Sequence, residues 1–365
     1  MFVTFDRGVR VSLGVVTLGT PERLWPCLEA LREHESRHDF TVVLVVNSDT
    51  QDGPLREVAL PDGVAVEWVP ANLGWAGGLH RARARTDAEL LVWVQDDMLP
   101  EPGWLDALVE AAEAHPQAGA FGSVRVDEHG VLLLHNAGEA VPYDAVERWN
   151  DSDTTADRPP TAVTAYDWVT SKGLLTRAVV FDEVGGPDPR LWPLNHVDKE
   201  YCTHVRAHGW EVALVPGARL RHGGGLSAPS PFRAFLAHWR EPWLNQRLAP
   251  TVAALAGQRS ARVPHECTDW RDGSSDPVAA AVGAEASRML VPLARAHATR
   301  DADIEARTLY FEHHHGVAER GRAAAEEERD RAQRRVRRLR RRLREQERSL
   351  SWRLTRPLRA LCRRR

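Results

Sequence analysis

Leu90-Leu91-Val92-Trp93-Val94-Gln95-Asp96-Asp97 runs into a turn signal, Leu99-Pro100-Glu101-Pro102-Gly103. The apolar run reads as a buried strand, so adjacent carboxylates stand at its C-terminal edge. Carboxylate oxygens suit Mg²⁺ or Mn²⁺, and such an ion bridges readily to a diphosphate. The same residues also read as a solvated strand-to-helix turn, because Asp is a common turn former. The neighbouring strands bear on that choice.

Working outward, Val11 to Val16 reads as a strand, Phe40 to Val46 as a second and Val64 to Val69 as a third, with Leu90 to Val94 the fourth. The second is almost continuously apolar, as a strand covered on both faces requires. Between them lie helical patterns. Pro21 to His34 carries Leu24, Cys27, Leu28 and Leu31 on one side, with Thr20 as N-cap and Pro21 at the first helical position. Ala76 to Thr86 and Gly103 to His115 read as further helices. Alternation of this kind implies an α/β fold with a doubly wound, mostly parallel sheet.

In such sheets ligands bind beyond the carboxyl ends of the strands. Here Thr17 follows strand one, Asn47-Ser48-Asp49 strand two, Asn72-Leu73-Gly74-Trp75-Ala76-Gly77-Gly78 strand three, and Asp96-Asp97 strand four. The side-chain amide of Asn47 suits the N3–H and carbonyl edge of a pyrimidine. Gly77 and Gly78, read as a helix start, would let backbone N–H groups approach a ribose or diphosphate. The pattern is not GxGxxG, and no acid follows at dinucleotide spacing. Downstream, Asn195-His196-Val197-Asp198-Lys199-Glu200 opens a helix ending at Gly209. Asp198 is either a general base or one half of a capping box with Asn195, and the two roles are compatible. His222 precedes Gly223-Gly224-Gly225 after a strand at Val212 to Val215, and is a candidate metal ligand or a loop residue.

The remainder of the 365-residue chain is organised differently. Gln258 to Pro277 is polar and loop-like, as is Asn150 to Pro160. Pro231 to Arg247 reads as a helix packing Phe232, Phe235, Leu236, Trp239 and Trp243 on the core. Weak helical patterning runs from Pro277 to Gly316. From Val317 to Arg365 about 19 Arg face about 7 acids, although the whole chain has a formal charge of -3. Val336, Leu339, Leu343 and Leu350 give that tail a heptad seam, suggesting a short coiled coil or a docked helix. Its Arg run from Arg334 to Arg348 carries no aromatic stacking platform, so nucleic acid is not the expected partner. Cys27, Cys202, Cys267 and Cys362 form no CxxC pair, which fits a reducing compartment. The opening residues read as no secretory leader, and Pro277 to Ala296, the most apolar stretch, is broken by Glu285, Arg288 and Arg295. The expectation is a cytoplasmic protein.

Taken in order, these motifs resemble the family 2 glycosyltransferases of GT-A fold, across roughly Val11 to Ser227. Cys27-Leu28-Glu29-Ala30-Leu31 matches the first helix. Asn47-Ser48-Asp49-Thr50-Gln51-Asp52-Gly53 is similar to an Asp-Asn-Gly-Ser-x-Asp-Gly turn, and Asn72 to Gly78 to Asn-x-Gly-Phe-Ala-Gly-Gly. Gln95-Asp96-Asp97 stands at the Asp-x-Asp motif, followed by Pro100-Glu101-Pro102-Gly103-Trp104-Leu105. Phe181-Asp182-Glu183-Val184-Gly185-Gly186-Pro187-Asp188 resembles the family's Gly-Gly turn, and Val197-Asp198-Lys199-Glu200 its Glu-Asp-x-Asp motif.

The resemblance implies inverting, metal-dependent sugar transfer from a UDP- or dTDP-sugar to a cell-envelope or lipid-linked acceptor at the cytoplasmic membrane face. It makes Asp198 the base with Glu200 beside it. Asp97 and His222 become ligands of Mn²⁺ or Mg²⁺, and Thr17, Asn47, Asn72, Gly77, Gly78, Gln95 and Asp96 donor contacts. Asn47, Gln95, Val197 and Glu200 depart from the family's residues. The implied organisation is a GT-A domain over 1–230, a helical extension over 231–316 and an association tail over 317–365, serving a homo-oligomer or an anionic membrane surface. A sugar-phosphate nucleotidyltransferase is the rival within the fold class, though Thr17-Leu18-Gly19-Thr20 lacks the expected basic residue. A non-catalytic nucleotide-sugar-binding scaffold is the rival outside it.

Overall fold

The computed structural model describes residues 9–297, apart from 35, 49–53, 58–59, 62, 70, 128, 131, 133–136, 141–148, 151–160, 195, 223–229, 266–268 and 272–274. For 138–140, 149–150, 230–242 and 289–297 it describes the backbone alone. Asn195, Cys267, Cys362, the Gly223–Gly225 run and the Arg-rich tail therefore lie outside the described residues. The chain divides into two compact units, Met1–Leu290 and Val291–Arg365.

The first unit opens with β1 (Val11–Thr17), α1 (Pro21–Glu33), β2 (Phe40–Asn47), β3 (Val64–Val69), α2 (Gly74–Arg83) and β4 (Leu90–Gln95). Then come β5 (Met98–Pro100), α3 (Trp104–Ala114), β6 (Ala118–Val126), β7 (Ala137–Ala140), β8 (Trp149–Asn150), β9 (Thr164–Tyr166), β10 (Trp168–Val169) and β11 (Leu175–Arg177). α4 (Ala178–Val184), α5 (Val197–Ala207), β12 (Glu211–His222), α6 (Ser230–Leu255) and α7 (Pro277–His297) complete the described elements.

Among the described residues the main sheet runs β3-β2-β1-β4-β11-β6-β12-β5, with β9 on β12 and a small sheet β10-β7-β8 beside it. The left half is the expected parallel sheet. Every residue of β1 and β2 is buried, which is why they read as unbroken apolar runs. Thr17 pairs with Val46, and Val16 with Gln95, so three strand ends finish at one edge. Leu24, Leu28, Trp104 and Leu108 pack one face, and Leu79, Phe181, Tyr201 and Leu248 the other.

The right half corrects the mostly parallel expectation, because β11 lies antiparallel to both β4 and β6, and β5 antiparallel to β12. The short β5 also changes the setting of Asp96-Asp97, which occupy a tight turn between two strands and not a strand-to-helix turn. β12 is longer than expected. It continues past Val215 to His222, which is thus the last residue of a strand and pairs with Met98. α2 begins at Gly74, two residues before the expected start. No described helix is long and apolar enough to cross a membrane.

Candidate active site

The strand ends wall a cleft of about 240 Å³, lined by Thr17, Arg23, Asn47, Asn72, Gly74, Trp75, Gln95, Asp96, Asp97 and Pro193 among others. The sheet register brings these together. One wall is the loop into α2. Asn47 accepts from Leu73 N–H at 2.7 Å and donates to Gly74 O at 2.8 Å, while Asn72 Oδ1 accepts from Gly74 N–H at 2.8 Å. Gly74 has φ +70, and a Cβ there would meet Pro193 O and Trp192 Cδ1, each at 2.8 Å, so both the backbone and the space require glycine. Trp75 N–H donates to Pro193 O at 2.7 Å, and Trp192 Nε1 donates to Asn72 O at 2.9 Å. The Asn47 side chain is 1% exposed, so its amide holds this loop in place and not, as expected, the edge of a base.

The opposite wall is the Asp96-Asp97 turn. Thr17 Oγ1 donates to Asp96 Oδ2 at 2.7 Å, and Gly19 N–H to Thr17 Oγ1 at 3.0 Å. Arg23 Nη2 lies 2.8 Å from Asp97 Oδ2 and 3.2 Å from Asp96 Oδ1. Pairing Met98 with His222 sets His222 Nε2 2.8 Å from Gln95 Oε1 and 3.2 Å from Asp97 Oδ1. Asp97 Oδ1 is buried with no aligned hydrogen bond. Burial pushes both carboxyls up. For Asp97, His222 and Arg23 outweigh it and the group sits below the usual range, whereas Asp96 stays raised. An orphaned carboxylate oxygen facing an imidazole nitrogen and an amide oxygen fits a divalent cation in donor type.

Asp198 stands on the first turn of α5. His196, at φ 58, is the N-cap, one residue after the expected Asn195, which lies outside the described residues. Asp198 Oδ2 accepts from Ser171 N–H at 3.2 Å, and Oδ1 from Lys199 N–H at 3.0 Å. Burial raises its affinity for a proton, but Lys172 and Lys199, with the Ser171 bond, hold it below the ordinary carboxylate value. Lys172 is within the electrostatic reach of both Asp198 and Asp97, and burial lowers its own pKa. Its segment is tied to β4, with Gly173 N–H donating to Trp93 O at 3.1 Å and Trp93 N–H to Leu174 O at 2.8 Å. One short strap thus links the base candidate to the strand that delivers Asp97.

Three expected site residues fall elsewhere. Glu200 is 0% exposed; it accepts from Asp188 N–H at 3.2 Å and lies 3.0 Å from His204 Nδ1, which braces α5 and keeps it from any acceptor. Gly77 and Gly78 lie inside α2, where N–H groups serve the helix. A Cβ on Gly77 would meet Leu73 Cβ at 2.6 Å, and one on Gly78 Val16 Cγ1 at 2.6 Å, so close approach to Leu73 explains the first and packing against β1 the second. Sequence reasoning missed Arg23 and Lys172. Arg23 lay three residues beyond the loop searched for a basic group. Lys172 and Lys199 are the only lysines among 48 basic residues, and both act on Asp198; that rarity was a readable signal.

Residues 12–176 match the family model described as glycosyl transferase family 2. These residues are a family 2 glycosyltransferase domain. The match takes in Thr17, Asn47, Asp97 and Lys172 and stops short of Asp198 and His222. Across 231 residues the chain is 27% identical to the N-acetylglucosaminyl-diphospho-decaprenol L-rhamnosyltransferase of Mycobacterium tuberculosis, in strains CDC 1551 / Oshkosh and ATCC 25618 / H37Rv, covering 56% of this chain and 73% of that one. Among solved structures, GalNAc-T7 with UDP, GalNAc and Mn²⁺ aligns at 14% identity and TM-score 0.47, over 68% of this chain and 52% of its own. A mannosyltransferase of Pyrobaculum calidifontis with GDP-Man and Mn²⁺ aligns at 19% and 0.44, over 82% and 86%. The chain spans about half the length of the GalNAc-T7 structure.

Proposed function

We propose that the protein has a GT-A domain that transfers a sugar, with inversion, from a pyrimidine nucleoside diphosphate to a hydroxyl of a lipid-linked glycan. The observation that carries the reading is the strap from β4 to Asp198. It ties Asp198, through Ser171, to the strand that ends at Gln95, with Lys172 in electrostatic reach of both Asp198 and Asp97. Asp198 takes the proton of the acceptor hydroxyl as its oxygen attacks the anomeric carbon. The bond from that carbon to the diphosphate breaks, and the nucleoside diphosphate leaves with the electron pair. Asp97, His222 and Gln95 would hold Mn²⁺ or Mg²⁺, which when bound neutralises diphosphate charge as a Lewis acid. Lys172 keeps Asp198 ionised. Trp75 and the Asn47-braced loop close the donor side. The lipid-linked acceptor and a deoxyhexosyl donor such as dTDP-rhamnose rest on the likeness to the mycobacterial rhamnosyltransferase. We assign the Arg-rich tail to association with a partner helix or an anionic membrane surface.

The test is a screen of UDP-, dTDP- and GDP-sugars against a polyprenyl-diphosphate-linked GlcNAc acceptor, read by released nucleoside diphosphate. Transfer from a dTDP- or UDP-sugar, stopped by EDTA and restored by Mn²⁺, is the expected result. In Asp198→Asn it should fall about 10²-fold or more with donor binding retained. Preference for a GDP-sugar rejects the pyrimidine assignment, and full turnover in Asp198→Asn rejects the base.

A further inference from the structure

Arg23 is a basic residue in the wall of the cleft, on the first turn of α1 and directly over the two adjacent carboxylates. Its Nη2 bridges Asp97 Oδ2 at 2.8 Å and Asp96 Oδ1 at 3.2 Å. Nε is buried and has no hydrogen-bond partner. The Arg23 side chain lines the cleft and is 17% exposed, and a phosphate oxygen is the acceptor whose geometry and charge best suit the part of a guanidinium fork that faces such a cleft. The carboxylate pair alone would repel a diphosphate. Arg23 cancels part of that charge from within the protein. Thr17, Gln95, Asn47 and Asn72, which also line the cleft, are neutral.

We infer that Arg23 is a resident cation of the donor site, binding the diphosphate of the nucleotide directly and sharing the Asp96–Asp97 pair with the divalent ion. This deepens the donor assignment above and rests on it. Two consequences separate it from a purely structural role. Diphosphate recognition persists in part without metal. Removing Arg23 leaves two facing carboxylates less compensated, so bare metal binds as tightly or more tightly.

The experiment is calorimetric titration of the full chain with UDP and with uridine, each in EDTA and in Mn²⁺, and with Mn²⁺ alone. Wild type should bind UDP more tightly than uridine in EDTA. Arg23→Gln should reduce that ratio about tenfold or more, the usual worth of a charge-assisted hydrogen bond, with uridine affinity unchanged and Mn²⁺ affinity equal or higher. Arg23→Lys keeps the charge without the fork and should recover part of the ratio; it also gives the answer if the Gln variant folds poorly. An unchanged UDP-to-uridine ratio in both variants overturns the inference, as does a loss of Mn²⁺ binding in Arg23→Gln. If wild type binds GDP with the same diphosphate gain over guanosine and ignores uracil, the pyrimidine reading fails, while the purine pair still reports on Arg23.

Discussion

At the scale of single residues, charge decides which carboxylate does what. Asp198 and Glu200 are two positions apart on one helix, yet Asp198 faces Lys172 and Lys199 while Glu200 is sealed against Asp188 and His204. Their roles follow from surroundings that no local motif records. Lys172 offers the sharper test. The depressed pKa of Asp198 keeps it ionised, and hence able to act as a base, through the acid range. In Lys172→Met the burial remains while its main cationic counterweight is gone, so the pKa rises and the base is lost from the acid side first. The acid limb of the kcat/KM profile should therefore move to higher pH, with Lys172→Arg restoring it in part. An unmoved limb would mean that Lys172 does not act on Asp198. The placing of Asp97 after a buried strand and of Asp198 at a helix start was legible from their motifs. Arg23 and Lys172 were not, because their significance comes from partners 74 and 26 positions away.

At the scale of elements, α2 illustrates how glycines misled a sequence reading. Gly77 and Gly78 suggest a phosphate-cradling helix start, but the helix already begins at Gly74, and both serve close approach to Leu73 and β1. Gly78→Ala would force its new Cβ to within 2.6 Å of Val16 Cγ1, under a strand buried on both faces. Overpacking of this kind costs about 1–3 kcal/mol, to be measured by chemical denaturation. Stability equal to wild type would show that α2 can lift off β1 freely. β1 to β4 were legible because each carries several apolar residues between turn signals. β5, β9, β10 and β11 were not, being two or three residues long. Strands so short have no period to detect, and they exist only because distant partners supply their hydrogen bonds.

At the scale of the molecule, the half of the sheet that sequence patterning missed is the half that completes the site. β12 carries His222 to Asp97 by pairing with β5, and β11 enters between β4 and β6, with the strap Thr170–Leu174 leading into it. That strap is held at Gly173, whose φ is +71 and whose Cβ, if present, would strike Leu220 Cδ2 at 2.5 Å and Ser123 Oγ at 2.6 Å. Because the strap grips Asp198 through Ser171 and β4 through Gly173, the acceptor side and the donor side are not independent modules. They should behave as one thermodynamic unit. Asp97→Asn and Asp198→Asn should then give losses in transfer that are less than multiplicative when combined, with a coupling of about 0.5–3 kcal/mol. Strictly multiplicative losses would mean that each half works alone. Evolution toward a new acceptor could not proceed around Asp198 without being felt at the nucleotide, so changes of acceptor in chains built this way should travel with compensating changes in the metal-bearing turn.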